Sequence, residues 1–89
     1  MPQITENQIL HWQAVDRDRN MARDYQLTVS QDLFGWIIVE RAWGRIGARQ
    51  KVLREAFEEE SSAIAHIEGI KRRRASAAHR IGVEYCLLG

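Results

Sequence analysis

One short stretch of this chain carries side chains suited to holding an anion. Trp43, Gly44 and Arg45 open the run Trp-Gly-Arg-Ile-Gly, directly after the apolar stretch Trp36-Ile37-Ile38-Val39. An indole offers a flat face, and a guanidinium offers a rigid fork of donors that matches phosphate oxygens. Gly44 and Gly47 can take positive φ, so the run is expected to form a corner that ends one strand and starts the next. A sugar-phosphate terminus at that corner would satisfy both groups. Each residue also has a structural role open to it. Trp43 can pack beneath a sheet edge, although ligand stacking is the preferred reading beside a glycine corner. For Arg45, phosphate contact and bonding to turn carbonyls remain equally open.

The surrounding charge supports an anion. The net charge is only +1, but its distribution is uneven. Residues 1–35 sum to −2, residues 36–54 to +4, residues 55–60 to −4 and residues 71–80 to +5. Two basic blocks therefore flank an acidic spacer, and a fold that joins them would create one face attractive to phosphate. Arg41, Arg49 and Lys51 lie on the segments leading to and from the corner and are expected to act as a cluster. Lys71-Arg72-Arg73-Arg74 wraps around a helix, so one or two of these, Arg73 among them, are expected to face a ligand.

Other chemistries lack their residues. His11, His66 and His79 have no metal-ligand spacing, and the single Cys86 excludes an internal disulfide and a four-cysteine zinc site. Cys86 reads as a small apolar filler. There is no phosphate-binding loop motif and no Ser/His/Asp or Cys/His order. The sequence points to no enzyme, no metal and no cofactor. The N-terminus does not read as a signal peptide, and no apolar run approaches the roughly 20 residues of a membrane span. The expectation is a cytoplasmic protein of one domain, residues 1–89. A domain near this size buries only about 60% of the surface its unfolded chain exposes, which leaves little room for a second, deep cleft.

The elements that must position these residues are legible in the hydrophobic spacing. Residues 9–15 read as a first strand, followed by a charged turn from Asp16 to Arg19. Tyr25-Gln26-Leu27-Thr28-Val29 alternates with period two, with Tyr25, Leu27 and Val29 inward. Gln31 to Gly35 reads as a hairpin connection, Trp36 to Trp43 as a central third strand and Ala48 to Phe57 as a fourth. Trp12 and Trp36 are expected in the core. Pairing across Gly44–Gly47 would bring Glu40 near Lys51. The period then changes: Ala63, Ile64, Ile67, Ile70 and Arg74 form a helical stripe. The helix should start between Glu58 and Ser62 and end near Ala78, with Arg74 packing its stem and sending its head to water. Val83 to Cys86 would add a short closing strand.

This order of elements, with Arg41-x-Trp43-Gly44-Arg45-Ile46-Gly47, Gly35-Trp36 at the hairpin and Asn20 ahead of Tyr25-Gln26-Leu27, resembles the WGR domain family. The resemblance covers roughly residues 20–82. It implies an α+β fold, a curved antiparallel sheet of about four strands, with room for a short fifth, and one C-terminal helix packed across it. The family occurs in DNA-damage-responsive poly(ADP-ribose) polymerases, in bacterial regulators and as short free-standing bacterial proteins. In the polymerases the domain binds DNA ends, with the signature Trp against the terminal sugar and the signature Arg near the backbone. Those positions correspond to Trp43 and Arg45. Asn20 reads as a turn cap, and the resemblance adds it as a contact candidate. The family's basic run is often followed by Gly-Tyr, whereas here Arg72-Arg73-Arg74 leads into Ala-rich residues and then Ile81-Gly82-Val83-Glu84-Tyr85.

The expected function is a non-catalytic nucleic-acid-binding module that holds DNA ends or breaks at Trp43, Gly44 and Arg45, with Arg41, Arg49, Lys51, Asn20 and Arg73 around them. RNA is a competing ligand. A protein-interaction domain, either a homodimer or an adaptor for a repair or regulatory partner, is the alternative.

Overall fold

The computed structural model describes residues 8–88. Its elements run β1 (Gln8–Asp16), β2 (Met21–Gln31), β3 (Ile37–Arg45), β4 (Lys51–Phe57), α1 (Glu60–Ala75), α2 (Ala77–Ile81) and β5 (Cys86–Leu87). The sheet order is β4-β3-β2-β1-β5, with every neighbouring pair antiparallel. This is the expected α+β architecture, but the closing strand lies at Cys86–Leu87, not Val83–Cys86, and α1 ends at Ala75, not near Ala78.

Alternation along the strands decides what the sheet buries. Tyr25, Leu27 and Val29 of β2 point to one face, together with Trp12 and Ala14 of β1 and Ile37 and Val39 of β3. The helix α1 lies over that face and buries Ala63, Ile67 and Ile70. Those spacings of four and three keep all three residues on one side of a helix. Glu60 occupies the first turn of α1 and Arg72, Arg73 and Arg74 the last, which suits the partial charges of the helix ends. The backbone breaks at Ser76, whose N–H donates to the Arg72 carbonyl. The short α2 then stops at Gly82, which takes the left-handed φ of 76°. Arg19 Nη2 donates to the Ile81 carbonyl at 2.6 Å, tying the β1–β2 turn to the end of α2.

Several expectations need correction. Trp43, Gly44 and Arg45 do not form a corner; they are the last residues of β3, and the turn spans Ile46 to Gln50. Of the two glycines only Gly47 has a positive φ, 81°. Gly44 is favoured instead by close approach, since a Cβ there would lie 3.2 Å from the Arg49 carbonyl oxygen. The turn sets the register Glu40↔Arg54 and Trp43↔Lys51. Glu40 therefore pairs with Arg54 at 3.1 Å, and Lys51 lies on the opposite face of the sheet. Trp36 is 39% exposed and precedes β3. It belongs to a turn in which Asp32 Oδ1 accepts from the Phe34 and Trp36 amides. Turn geometry, not strand alternation, governs its direction. Cys86 is exposed, because β5 is an edge strand of two residues.

The β2–β3 turn presents Leu33 and Phe34 almost fully to solvent, at the end of the sheet away from Arg23 and Arg45. Leu27, by contrast, is fully buried on the central strand. Leu27→Ala should lower the unfolding free energy by about 2–5 kcal/mol, the usual cost of a core truncation. Phe34→Ser should change it by less than about 0.5 kcal/mol, as for exposed sites generally. Urea unfolding of both variants checks this.

Candidate functional site

The face of the sheet that forms the core does not stay apolar along its length. On β3 the same side carries Ile37 and Val39, then Arg41, Trp43 and Arg45. The buried residues of α1 close over the apolar part. Beyond them an open concavity of about 1070 Å³ remains at the Arg45 end of the strands. Ala65 and Gly69 line it from α1, and their small side chains leave the space open.

Three segments bring cations to this concavity. Arg41 and Arg45 come from β3, Arg49 and Lys51 from the following turn and β4, and Arg73, Arg74 and Arg80 from the helices. Arg19 and Arg23 add to it from the β1–β2 turn and β2, and Asp24 is the one acid in the lining. The two basic blocks of the sequence therefore converge. Arg41 is neutralised by Glu55 at 3.1 Å and Arg19 by Asp16 at 2.9 Å. Among the described residues the other seven cations have no carboxylate within salt-bridge distance. Like charges gathered without counterions repel one another, so an entering anion is favoured.

The aromatic groups are arranged in sequence beside these cations. Trp43 is half-buried and stacks with Tyr25, ring centroids 6.2 Å apart and planes inclined at 23°. Tyr25 meets Trp12 edge-on at 6.1 Å. The Arg41 guanidinium lies 5.9 Å from the Trp43 ring centroid. Trp43 thus packs partly on the core and partly lines the concavity.

Arg45 likewise does two things. Its Nη1 donates to the Asn20 carbonyl at 3.0 Å and its Nη2 to Asn20 Oδ1 at 2.9 Å. Asn20 sits in the β1–β2 turn with φ 51°, a left-handed angle that asparagine tolerates better than most residues. The turn is closed by the Asn20 N–H, which donates to the Arg17 carbonyl at 3.1 Å, and the Asn20 side chain serves Arg45 in place of the expected turn cap. The fork of Arg45 is oriented by neutral oxygens, so its positive charge is not cancelled. Gly44, Arg49, Lys51 and Arg73 all line the same space.

Sequence reasoning missed Arg74. Its side chain is half-buried and lines the concavity. The guanidinium lies 4.0 Å from the Tyr25 ring centroid and 5.0 Å from that of Tyr85. Its Nε is buried without a hydrogen-bond partner. Burial lowers its pKa most, and Arg80 and Arg73 push it the same way against the pull of the two phenols. It keeps its charge at neutral pH, as guanidinium groups in proteins do. The position of Arg74 on the apolar helical stripe was the available signal: an arginine on a core-facing line needs aromatic faces to lie on. Tyr85 was unreadable, since its contact depends on the break at Ser76 and the turn at Gly82.

His66 packs on Phe57 with centroids 5.1 Å apart, as a half-buried residue should. No group of three or more metal-ligating side chains occurs among the described residues.

The sequence pattern of the WGR domain matches residues 9–79. The chain belongs to the WGR domain family. It is 31% identical over 77 residues to an uncharacterised protein, y4dW, of Sinorhizobium fredii. That match covers 86% of this chain and 38% of the relative, so the chain spans well under half of the relative's length. No solved structure matches the chain. In this WGR domain the signature tryptophan and arginine both face the basic concavity. No helix among the described residues is long and apolar enough to cross a membrane.

Two tests follow from the geometry. Arg74→Met should change the unfolding free energy by less than about 1 kcal/mol, since lost cation–π contacts offset relieved repulsion. Pyrophosphate should raise the melting midpoint of the native protein, and raise that of the variant less, which thermal unfolding with and without the anion reads. Asp16 is held below the usual carboxylate range, first by its hydrogen bond from the Arg19 side chain. A depressed acid stabilises the fold fully above its unfolded pKa near 3.9 and loses that contribution as pH falls through the lower folded value. Asp16→Asn should therefore flatten the acid limb of a stability-versus-pH curve and leave its shape above about pH 5 unchanged.

Proposed function

We propose that this WGR domain is a non-catalytic module that binds the termini of DNA, seating the last nucleotide in the concavity. The observation that carries the reading is the convergence of seven uncompensated cations on a space walled by Trp43. Family membership supports nucleic acid as the polyanion. The shape supports an end over a continuous strand. The volume of about 1070 Å³ is near the top of the ordinary range for small-ligand pockets. A terminal nucleotide fits such a space, while a duplex running through would have to pass over it.

In this arrangement Trp43 lies flat against the terminal sugar or base. Arg45, held by Asn20, presents its fork to the last phosphates. Arg74 adds a half-buried charge, and Arg41, Arg49, Lys51 and Arg73 meet the backbone around it. Phosphate contacts of this kind carry no base information, so the binding is independent of sequence.

A second reading as a protein-interaction module is favoured by one separate observation, the exposed Leu33 and Phe34 at the opposite end of the sheet. The two readings are compatible, because they use different ends of the molecule.

Labelled blunt, nicked and closed-circular duplexes titrated at several salt concentrations test the proposal, with single strands and RNA as competitors. Open ends should bind and closed circles should not compete. Affinity should fall with salt, and Arg49→Gln should flatten the slope of log K against log salt by about 0.9, one phosphate contact on duplex DNA. Trp43→Ala should weaken binding by about 1–3 kcal/mol with the slope unchanged. Equal binding of closed circles and open ends, or no loss in Trp43→Ala, would overturn the terminus reading.

A further inference from the structure

The outer edge of β4 is unpaired among the described residues. At the two ends of the β2–β3 ladder, the Asp32 N–H donates to the Trp36 carbonyl and the Ile46 N–H to the Ala22 carbonyl, each at 2.9 Å. Even-numbered residues of β3 therefore bond to β2, and odd-numbered ones bond to β4. In β4 the pairs Trp43↔Lys51, Arg41↔Leu53 and Val39↔Glu55 use the odd residues. Val52, Arg54 and Ala56 consequently turn their N–H and C=O groups outward, and among the described residues no strand lies beyond them. Val52 is 59% exposed and Leu53 41% exposed, on opposite faces of the edge.

We infer that β4 pairs antiparallel with β4 of a second copy about a two-fold axis at Leu53. In that register Val52 and Arg54 bond to Arg54 and Val52 of the second copy. Leu53 lies opposite Leu53 of the second copy. Lys51 lies opposite Glu55 of the second copy, twice by symmetry. The Leu53 and Lys51–Glu55 pairs are the non-hydrogen-bonded kind, in which side chains approach most closely. Lys51 has no carboxylate partner of its own among the described residues. A register centred on Arg54 would instead oppose two arginines and set Leu53 against Glu55, so charge complementarity selects Leu53.

The consequence concerns the concavity. A two-fold perpendicular to the sheet keeps both helix-covered faces on the same side. Trp43 lies one strand in from β4 and two residues from Leu53 along the ladder, so strand spacings place the two Trp43 Cα atoms about 20 Å apart. The dimer would hold two basic pockets side by side. The edge contact stands on its own geometry; its use in holding two polynucleotide ends together rests on the proposed function.

Cysteine trapping in a Cys86→Ser background tests the register without nucleic acid. Leu53→Cys should form an intermolecular disulfide under mild oxidation, because a non-hydrogen-bonded antiparallel pair spans the Cα separation a disulfide needs. Arg54→Cys should cross-link at least about tenfold more slowly, since its opposite residue is Val52. In sedimentation equilibrium of the full chain, the native protein should dimerise as concentration rises, and Leu53→Lys should remain a monomer with unchanged circular dichroism. A native protein that stays monomeric, faster trapping by Arg54→Cys, or a Leu53→Lys variant that still dimerises would overturn the inference. Oligomeric state is read apart from DNA binding, so loss of either result leaves the other standing.

Discussion

The period-two alternation of β3 governs both what this WGR domain buries and what it offers. Ile37, Val39, Arg41, Trp43 and Arg45 share one face, so a single surface passes from oil to charge within nine residues of strand. Only the apolar half can be covered by α1, because Ala63, Ile67 and Ile70 have nothing to gain from guanidinium groups. The helix therefore leaves the other half open, and the concavity is what remains. Slipping β3 by one residue would send both the core and the signature residues to the wrong side of the sheet. Folding and display are the same constraint.

The cost of that display is electrostatic. Cations without carboxylates repel one another, and a chain this small has a limited core with which to offset the repulsion. The structure eases the problem by giving three of the seven charges a neutral anchor. Arg45 is fixed by the two oxygens of Asn20. Arg80 donates from Nε to Ser76 Oγ at 3.2 Å and from Nη2 to the Arg73 carbonyl. Arg74 lies between two phenol rings. Neutral oxygens and π-faces set the direction of a guanidinium and leave its charge available. Carboxylates would fix the same geometry and cancel the charge, as Glu55 does for Arg41.

Much of this was legible in the chain. Tyr25, Leu27 and Val29 announced β2 through alternation, and Ala63, Ile67 and Ile70 announced α1 through helical spacing. The block charges foretold a basic face, and Trp43 and Arg45 were found by type and neighbourhood. What escaped reading depends on contacts distant in sequence or on turn geometry. Trp36 looked like the start of a strand because the five residues ahead of Val39 carry no sign of the amide bonds to Asp32. The register of β4 followed from a turn longer than the glycines suggested, so Glu40 found Arg54 and not Lys51. The Tyr25–Arg74–Tyr85 stack joins three elements, and no local pattern encodes it.

Arg74 separates the two ways in which a half-buried arginine can be explained. As a purely structural residue it would be a poor choice, since burial penalises its charge and its Nε is left without a partner. Removing a partner from a buried polar group normally costs about 1–3 kcal/mol, and a leucine at this helical position would avoid that cost while filling similar space. Under the proposed function the arrangement would become favourable with an anion present, because a phosphate would satisfy the guanidinium and weaken its repulsion with Arg73 and Arg80. A group unfavourable alone and favourable beside an anion would add that difference to the anion's affinity. On this account the aromatic stack is the part that makes the cost bearable in the empty protein, and it explains why Tyr25, a core residue of the central strand, lies within reach of the pocket at all.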